Sequence, residues 1–142
     1  MKRSKELLNV VIGIIVDTEK KVLLNKRKKN TILSGYCEFP GGKVKPNETP
    51  AQALSRELFE ELGIKIGATD TLDSIAYQYA EFDVLLLPFR IIDYKGTLRE
   101  LEGQELMWCS FNQLQKVKIL PANHLLIERL FKKTINKKRS ES

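Results

Sequence analysis

The chain has 142 residues, and its hydrophobic fraction of 42% and charged fraction of 30% are typical of a soluble globular protein. A chain of this length buries about two-thirds of its unfolded surface, so its core needs neither a metal nor a disulfide to hold it. No apolar run approaches the ~20 residues of a membrane-spanning helix, which excludes a membrane span. The two cysteines, Cys37 and Cys109, form no spaced cluster, which favours free thiols and a reducing, cytoplasmic location.

The net charge of +6 is distributed unevenly along the chain. Basic residues gather at 26–29 and again between Lys132 and Arg139, and such clusters attract phosphates. A nucleotide-sized anionic substrate is the favoured partner, and nucleic acid is kept as an alternative. Nothing apolar anchors the end of the chain, so we expect one domain over residues 1–135 and a disordered basic tail over 136–142. We expect a monomer.

The first half of the chain shows two strand patterns and one helix pattern. Residues 7–16 are rich in β-branched side chains, and 22–27 follow after a turn, which predicts a hairpin of two strands. Residues 49–62 predict a helix, because Pro50 suits its first turn and Gly63 suits its C-terminal stop.

The second half repeats the order of strands followed by a helix. Residues 72–80, 82–93 and 105–111 carry strand patterns, and we expect Trp108 to anchor the last strand in the core. From Pro121 onward, apolar residues recur at helical spacing at Leu125, Leu126, Leu130 and Phe131. This alternation predicts one layered domain of the α/β or α+β class.

The helix at 49–62 has an unusual concentration of carboxylates. Each residue of a helix advances by about 100°, so Glu57, Glu60 and Glu61 share one face. Their like charges repel, and the last turn of a helix disfavours anions. A cation would relieve this repulsion, and clustered carboxylates suit Mg²⁺ or Mn²⁺; the alternative is a solvated acidic face. The neighbouring stripe, predicted to pack against a sheet, consists of Ala51, Leu54, Leu58 and Leu62.

Two features beside this helix favour a metal and phosphate site over a solvated face. Gly41 and Gly42 come just before the helix, where a backbone without side chains can approach a ligand closely. Lys43 and Arg27 supply the positive charge that a polyphosphate requires.

The stretch from Gly42 to Ile64 resembles the Nudix family. It matches the Nudix box, Gly-X5-Glu-X7-Arg-Glu-U-X-Glu-Glu-X-Gly-U with U apolar, at all nine specified positions within 23 residues. Three further stretches resemble its MutT branch, the 8-oxo-dGTP pyrophosphohydrolases: EFPGGK, Glu102 to Trp108, and Pro121-Ala122-Asn123. The resemblance covers about residues 7–131 and implies an α/β/α sandwich around a mixed β-sheet, with the box as a loop–helix–loop.

The resemblance also implies roles for individual residues. A Mg²⁺ or Mn²⁺ ion would be held by the Gly41 carbonyl and by Glu57, Glu60, Glu61 and Glu102. The catalytic set would be Glu57, Glu60, Glu102 and Arg56, with Arg56 pairing with Glu48 or a neighbouring carboxylate to orient the cluster. Glu102 would act as ligand or general base, with Glu105 as a competitor for that role. Gly42, Glu48 and Gly63 would be structural positions of the box.

For the substrate, the resemblance implies binding of a nucleoside triphosphate. Arg27, Gly42 and Lys43 would hold its phosphates. Asn123 would read an oxidised purine, although an Asn at the start of a helix also serves as a cap. Phe39 and Tyr79 would line the base pocket or pack in the core. Phe82 occupies a position at the pocket rim where the MutT branch carries a charged residue. This difference from the MutT branch would affect the preference for the base.

We therefore expect a Mg²⁺-dependent pyrophosphohydrolase that converts 8-oxo-dGTP to 8-oxo-dGMP and pyrophosphate and so sanitises the nucleotide pool. One alternative is a Nudix enzyme for another substrate, such as CTP or another (deoxy)nucleotide, a dinucleoside polyphosphate or a sugar nucleotide. Another is an RNA 5′-end pyrophosphohydrolase, which the basic clusters suggest. A non-catalytic ligand-binding module is the third, and the complete set of glutamates speaks against it.

Overall fold

A computed structural model describes residues 5–31 and 33–130 of the chain. The first strands are β1 (Glu6–Ile14), β2 (Val22–Lys26), β3 (Cys37–Glu38) and β4 (Gly41–Lys43), and helix α1 (Pro50–Leu62) follows them. The next strands are β5 (Lys65–Ile66), β6 (Thr69–Thr71), β7 (Ile75–Gln78), β8 (Phe82–Ile91), β9 (Tyr94–Lys95) and β10 (Glu105–Cys109). The short helix α2 (Phe111–Leu114) comes next, and residues 121–130 form a helix that we call α3.

The largest sheet is mixed and has the strand order β4-β1-β8-β6, with β7 also pairing with β8. Strands β1 and β8 run parallel from the pair Glu6–Phe82 to the pair Ile14–Arg90, and the other pairs are antiparallel. Strands β10, β2 and β3 form a second, antiparallel sheet, and β5 pairs with β9. The predicted mixture of strand directions is confirmed.

Helices cover both faces of the mixed sheet. Helix α1 buries Ala53, Leu54, Leu58 and Leu62 in one apolar cluster with Val11 and Ile15 of the β1 region. Helix α3 buries Ala122, Leu126 and Ile127 in a second cluster with Ile12 and Ile14. Successive side chains of a strand point to opposite faces, which is why neighbouring residues of β1 belong to different clusters. This layering is the predicted α/β/α sandwich.

Both ends of α1 are set by local hydrogen bonds. Thr49 caps the first turn: its Oγ1 accepts from the Gln52 N–H at 3.1 Å, and its own N–H donates to Gln52 Oε1 at 2.9 Å. Gly63 ends the helix at φ 71°, and its N–H donates to the Phe59 carbonyl at 3.0 Å. The predicted helix and its glycine stop are confirmed. Ala51 is exposed rather than packed, because the contact with the sheet begins at Ala53.

Several local predictions were wrong. The strand predicted over 105–111 ends at Cys109, because Ser110 caps α2. Trp108 is 37% exposed rather than in the core, because β10 is an edge strand of its sheet. The strand predicted over 72–80 is shorter, at Ile75–Gln78, and residues 72–74 connect it to β6, which lies before the predicted range. The helix predicted from Pro121 is confirmed as α3, although its Leu125 is 39% exposed.

Other predictions concern termini, membranes and thiols. The predicted tail 136–142, the basic cluster from Lys132 to Arg139 and Phe131 all lie outside the described residues. Within residues 5–31 and 33–130, no helix is long and apolar enough to cross a bilayer. Cys37 and Cys109 are buried free thiols, as predicted.

Candidate active site

Strand β4 brings two glycine residues against α1 and β1. Gly42 pairs with Val11 of β1, and the Glu57 carboxyl lies over its backbone: a Cβ at Gly42 would stand 2.4 Å from Glu57 Cδ. A Cβ at Gly41 would stand 1.9 Å from the Val11 carbonyl oxygen. Both positions therefore require glycine, one to leave room for a carboxylate and the other to let two strands pair.

Arg56 binds the acidic face of α1 to the loop that precedes it. Its Nε and Nη2 donate to the two carboxylate oxygens of Glu48 at 2.7 and 2.9 Å, and Nη2 also donates to the Lys43 carbonyl at 3.0 Å. Its Nη1 donates to Glu57 Oε1 at 2.8 Å and to Glu60 Oε2 at 3.4 Å. These contacts suit a residue that positions the carboxylates.

The Arg56 guanidinium also changes the charge state of Glu48. Hydrogen bonds from Arg56 and from the Lys45 N–H lower the pKa of Glu48 to about 2. A bidentate guanidinium–carboxylate pair is geometrically specific as well as strong. The pair therefore stays ionised over the physiological range and fixes the loop on the helix.

Two carboxylates of this acidic face, Glu57 and Glu61, are only partly compensated by positive charge. Burial, together with the negative charges of Glu57 and Glu102, raises the pKa of Glu61 to about 8, against the opposing effect of the Gly41 N–H, which donates to Glu61 Oε2 at 3.0 Å. Burial also raises the pKa of Glu57 against the opposing effect of Arg56. A divalent cation would compensate for such crowding of buried like charges.

The donor set fits Mg²⁺ or Mn²⁺, but the side chains do not converge as they stand. Among the described residues, no three carboxylate, thiol or imidazole groups meet closely enough to hold a metal ion. Two side chains are held elsewhere, since Glu60 turns toward Arg56 and Glu61 toward the Gly41 N–H. Hard oxygen donors are nevertheless the ligands that these ions prefer. Glu102 is exposed, and Glu60 is exposed and, within the described part of the chain, held only by the 3.4 Å contact with Arg56, so both have room to turn toward Glu61.

Gln104 connects the Glu102 turn to the end of α1. Its Oε1 accepts from the Glu102 N–H at 2.9 Å, and its Nε2 donates to the Glu61 carbonyl at 3.0 Å. Gln104 is only 8% exposed, and sequence reasoning missed this role because its partner on α1 is 43 residues away. Glu105 instead lies on β10, with its Oε2 4.0 Å from Lys26 Nζ, so Glu102 is the better placed of the two.

A cleft of about 800 Å³ extends from Glu61 and Glu102 toward α3. Its lining includes every predicted substrate-binding residue, namely Arg27, Phe39, Gly42, Lys43, Tyr79 and Asn123. Of the predicted metal ligands, Gly41, Glu61 and Glu102 line the cleft, whereas Glu57 and Glu60 do not. A separate cavity of about 620 Å³ is mostly apolar, with Ile14, Leu72 and Leu130 in its walls, and shares only Phe39 with the predicted site residues.

The cleft lining includes four basic residues, from the end of β2, the segment that follows it and β4. They are Lys26, Arg27, Lys28 and Lys43. Arg27 also pairs with Glu38, with 3.0 Å between Nη1 and Oε1, and burial raises the pKa of Glu38. Glu38 was not singled out from the sequence, although it begins the EFPGGK stretch. It offsets part of the positive charge that Arg27 would present to a phosphate.

The far end of the cleft is formed by α3 and aromatic side chains. Asn123 is 5% exposed, and its Oδ1 accepts from the Phe39 N–H at 2.9 Å. Because Asn123 lies inside α3 and bonds a distant strand segment, it does not cap that helix, and the capping alternative was wrong. The Tyr79 hydroxyl accepts from the Ala122 N–H at 3.3 Å, and its ring lies 5.1 Å from that of Phe82.

Comparisons with known proteins agree with this arrangement. The family model for the NUDIX domain matches residues 7–130. An 8-oxo-dGTP diphosphatase of Proteus vulgaris is 37% identical over 100 residues, which are 70% of this chain and 89% of that protein. A CTP pyrophosphohydrolase of Escherichia coli is 36% identical over 118 residues, covering 83% of this chain and 87% of that protein.

A solved structure has a similar fold. The solution structure of the E. coli ORF135 protein superposes with a TM-score of 0.77 at 35% identity, covering 89% of this chain and 90% of that chain. The family match, the similar relatives and the shared fold all lead to one assignment: the chain belongs to the NUDIX family and is an enzyme of its MutT-like pyrophosphohydrolase branch.

Proposed function

We propose that this enzyme hydrolyses 8-oxo-dGTP to 8-oxo-dGMP and pyrophosphate with Mg²⁺, or with Mn²⁺ in its place. The observation that carries the proposal is the cleft, whose lining combines the carboxylates Glu61 and Glu102 with four basic residues and with Asn123. The proposal takes residues 1–135 as one monomeric hydrolase domain that acts in the cytoplasm. Similarity to 8-oxo-dGTP diphosphatases supports this substrate.

The metal ion would be held by Glu57, Glu60, Glu61 and Glu102 together with the Gly41 carbonyl. When bound, Mg²⁺ neutralises phosphate charge and lowers the pKa of a water molecule. Arg56 keeps the Glu57 carboxylate over Gly42, and Gln104 keeps Glu102 beside Glu61. Glu102 is the exposed carboxylate best placed to accept the proton of the attacking water.

The chemical step is a displacement at an internal phosphorus. The water oxygen forms a bond to an internal phosphorus of the triphosphate, the bond from that phosphorus to the α,β-bridging oxygen breaks, and the nucleoside monophosphate and pyrophosphate separate. Charge on the phosphates is balanced by the basic residues of the cleft lining, Lys26, Arg27, Lys28 and Lys43.

The base would meet Asn123 and the rings of Tyr79 and Phe82. Asn123 Oδ1 accepts from the Phe39 N–H and keeps a second lone pair, so Asn123 offers both an acceptor and its Nδ2–H donor. The acceptor suits the N7–H that only the oxidised guanine carries, and the donor suits the O6 carbonyl of guanine. The donor equally suits the carbonyl of cytosine, so CTP is the second candidate, and the similar CTP pyrophosphohydrolase supports it.

A substrate panel tests the proposal directly. With Mg²⁺, we expect kcat/KM for 8-oxo-dGTP to exceed that for dGTP by about fivefold or more, since one well-placed hydrogen bond contributes on the order of 1 kcal/mol. CTP, a dinucleoside tetraphosphate and 5′-triphosphate RNA complete the panel. Equal values for 8-oxo-dGTP and dGTP would overturn the 8-oxo-dGTP assignment, and the highest value for CTP would favour the second candidate.

The Asn123→Ala variant shows whether the preference arises at the far end of the cleft. In that variant we expect the ratio of kcat/KM for 8-oxo-dGTP to kcat/KM for dGTP to fall by a larger factor than kcat itself. Asn112→Ala is the matched control, because Asn112 is an exposed residue of α2 outside the cleft. Equal losses on both substrates would show that Asn123 does not read the base.

A further inference from the structure

Asn25 is a buried polar residue of the cleft to which the proposed reaction assigns no role. It lies on β2 and is opposite Glu38 of β3 on one side and Leu106 of β10 on the other. The residue is 5% exposed and lines the cleft. Its Oδ1 has no hydrogen-bond partner among the residues that the structure describes.

The fold around Asn25 explains neither its burial nor its open acceptor. Leu23, two residues earlier on the same face of β2, and Leu106 across the strand pair have apolar side chains. Glu38, across the other pair, is paired with Arg27 as a carboxylate, and in that form it offers only acceptor oxygens. A buried acceptor without a donor destabilises a fold, so an amide here has a cost that a leucine would not have.

The direction in which Asn25 faces indicates what would supply a donor. Glu38 and Leu106 lie directly across from Asn25 and share its face of the sheet. Leu106 is two residues after Gln104, whose Nε2 donates to the Glu61 carbonyl at 3.0 Å. Asn25 therefore stands on the carboxylate side of the cleft. Phosphate oxygens only accept hydrogen bonds, so a phosphate leaves this acceptor open, whereas water around a cation donates.

We propose that Asn25 is a positioning residue whose Oδ1 accepts a hydrogen bond from a water in the hydration shell of the divalent ion held beside Glu61. The terminal amide has a broad torsional minimum, so it can turn its oxygen toward the cleft. The inference rests on the proposed metal site. Residues that orient a metal's ligands or waters typically affect metal affinity or activity about 10–100-fold.

The test compares Asn25→Leu and Asn25→Asp by Mn²⁺ titration and by thermal unfolding of the metal-free protein. Asn25→Leu removes the open acceptor, so we expect a Kd for Mn²⁺ at least about tenfold weaker and a metal-free Tm equal to or above that of the wild type. Asn25→Asp keeps the acceptor and adds a charge beside Glu38. We expect it to bind Mn²⁺ at least as tightly as the wild type, with a lower metal-free Tm that Mn²⁺ restores.

Asn9→Leu is the matched control, because Asn9 is an exposed residue of β1 outside the cleft lining. Unchanged Mn²⁺ affinity in Asn25→Leu would overturn the proposal, as would a metal-free Tm well below that of the control. If Asn25→Leu fails to fold, weaker Mn²⁺ binding by Asn25→Asp overturns it and tighter binding supports it. A wild type that binds no Mn²⁺ would refute the proposed metal site itself, which is a distinguishable result.

Discussion

At the scale of single residues, Glu57 shows how this site combines attraction and repulsion. Arg56 donates to its Oε1 at 2.8 Å, while burial and the carboxylates of Glu60 and Glu102 raise its pKa. Its carboxyl group lies over Gly42, where no side chain competes for the space. The residue is therefore held in place but incompletely neutralised, a combination that suits a ligand for a cation.

We expect Glu57→Gln to lower kcat by about 100-fold or more while leaving the fold intact, because the amide keeps the shape but loses the charge that a metal ligand needs. Steady-state rates, Mn²⁺ titration and circular dichroism measure these effects. Glu19→Gln is the control, since the Glu19 side chain is 72% exposed and pairs only with Lys21 among the described contacts. Near-normal turnover of Glu57→Gln would refute the metal-site assignment.

At the scale of elements, the contact between β4 and α1 brings the glycine pair to the carboxylates. The two glycines face different neighbours: Gly42 lies under the end of the flexible Glu57 side chain, and Gly41 lies against the backbone of β1. A side-chain end can move at little cost, whereas paired backbone cannot. Neighbouring positions in one short strand therefore have separable roles in ligand geometry and in stability.

We expect Gly42→Ala to displace the Glu57 carboxylate, weakening Mn²⁺ binding by about tenfold with little change in Tm. Gly41→Ala forces β4 from β1, and we expect it to lower Tm by roughly 5–10 °C. Thermal unfolding and Mn²⁺ titration of both variants give the comparison. A large loss of Tm in Gly42→Ala with unchanged Mn²⁺ affinity would contradict this division of roles.

At the scale of the whole molecule, the carboxylate cluster couples folding stability to pH and to metal. The pKa of Glu61 is about 8 in the metal-free fold, above the ~4.3 of an exposed glutamate. Between these values the folded state keeps a proton that the unfolded chain has released. Raising the pH therefore favours unfolding across this window, so the stabilising effect of the protonated carboxyl is present below it and is lost as the pH rises to about 8.

We expect the free energy of unfolding of the metal-free protein to fall between about pH 5 and pH 8, and Mg²⁺ to reduce that slope because it stabilises the ionised cluster. Urea denaturation at several pH values, with EDTA or with Mg²⁺, measures this. The Glu61→Gln variant serves as the comparison, since it has no carboxyl to titrate at this position. A slope in EDTA that is the same in wild type and Glu61→Gln would show that Glu61 is not the group responsible.

Local spacing alone was sufficient to predict α1, its Gly63 stop and the shared face of its glutamates, because these depend on residues within a few turns of one helix. The mixed class of the fold was also predictable, from the order of strand and helix patterns. The exposure of Trp108 was not predictable, because it depends on β10 being an edge strand, and the order of strands in the sheet is set by the tertiary structure.

The cleft itself was decided only by the tertiary structure. Asn123 meets the Phe39 N–H across 84 residues, and Gln104 reaches Glu61 across 43. The open acceptor of Asn25 exists only because β3 and β10 enclose β2 from both sides. The sequence by itself determined the family and the carboxylate face, since both depend on spacing along the chain. Which polar groups face those carboxylates depends on strand pairing between distant segments, which no local pattern encodes.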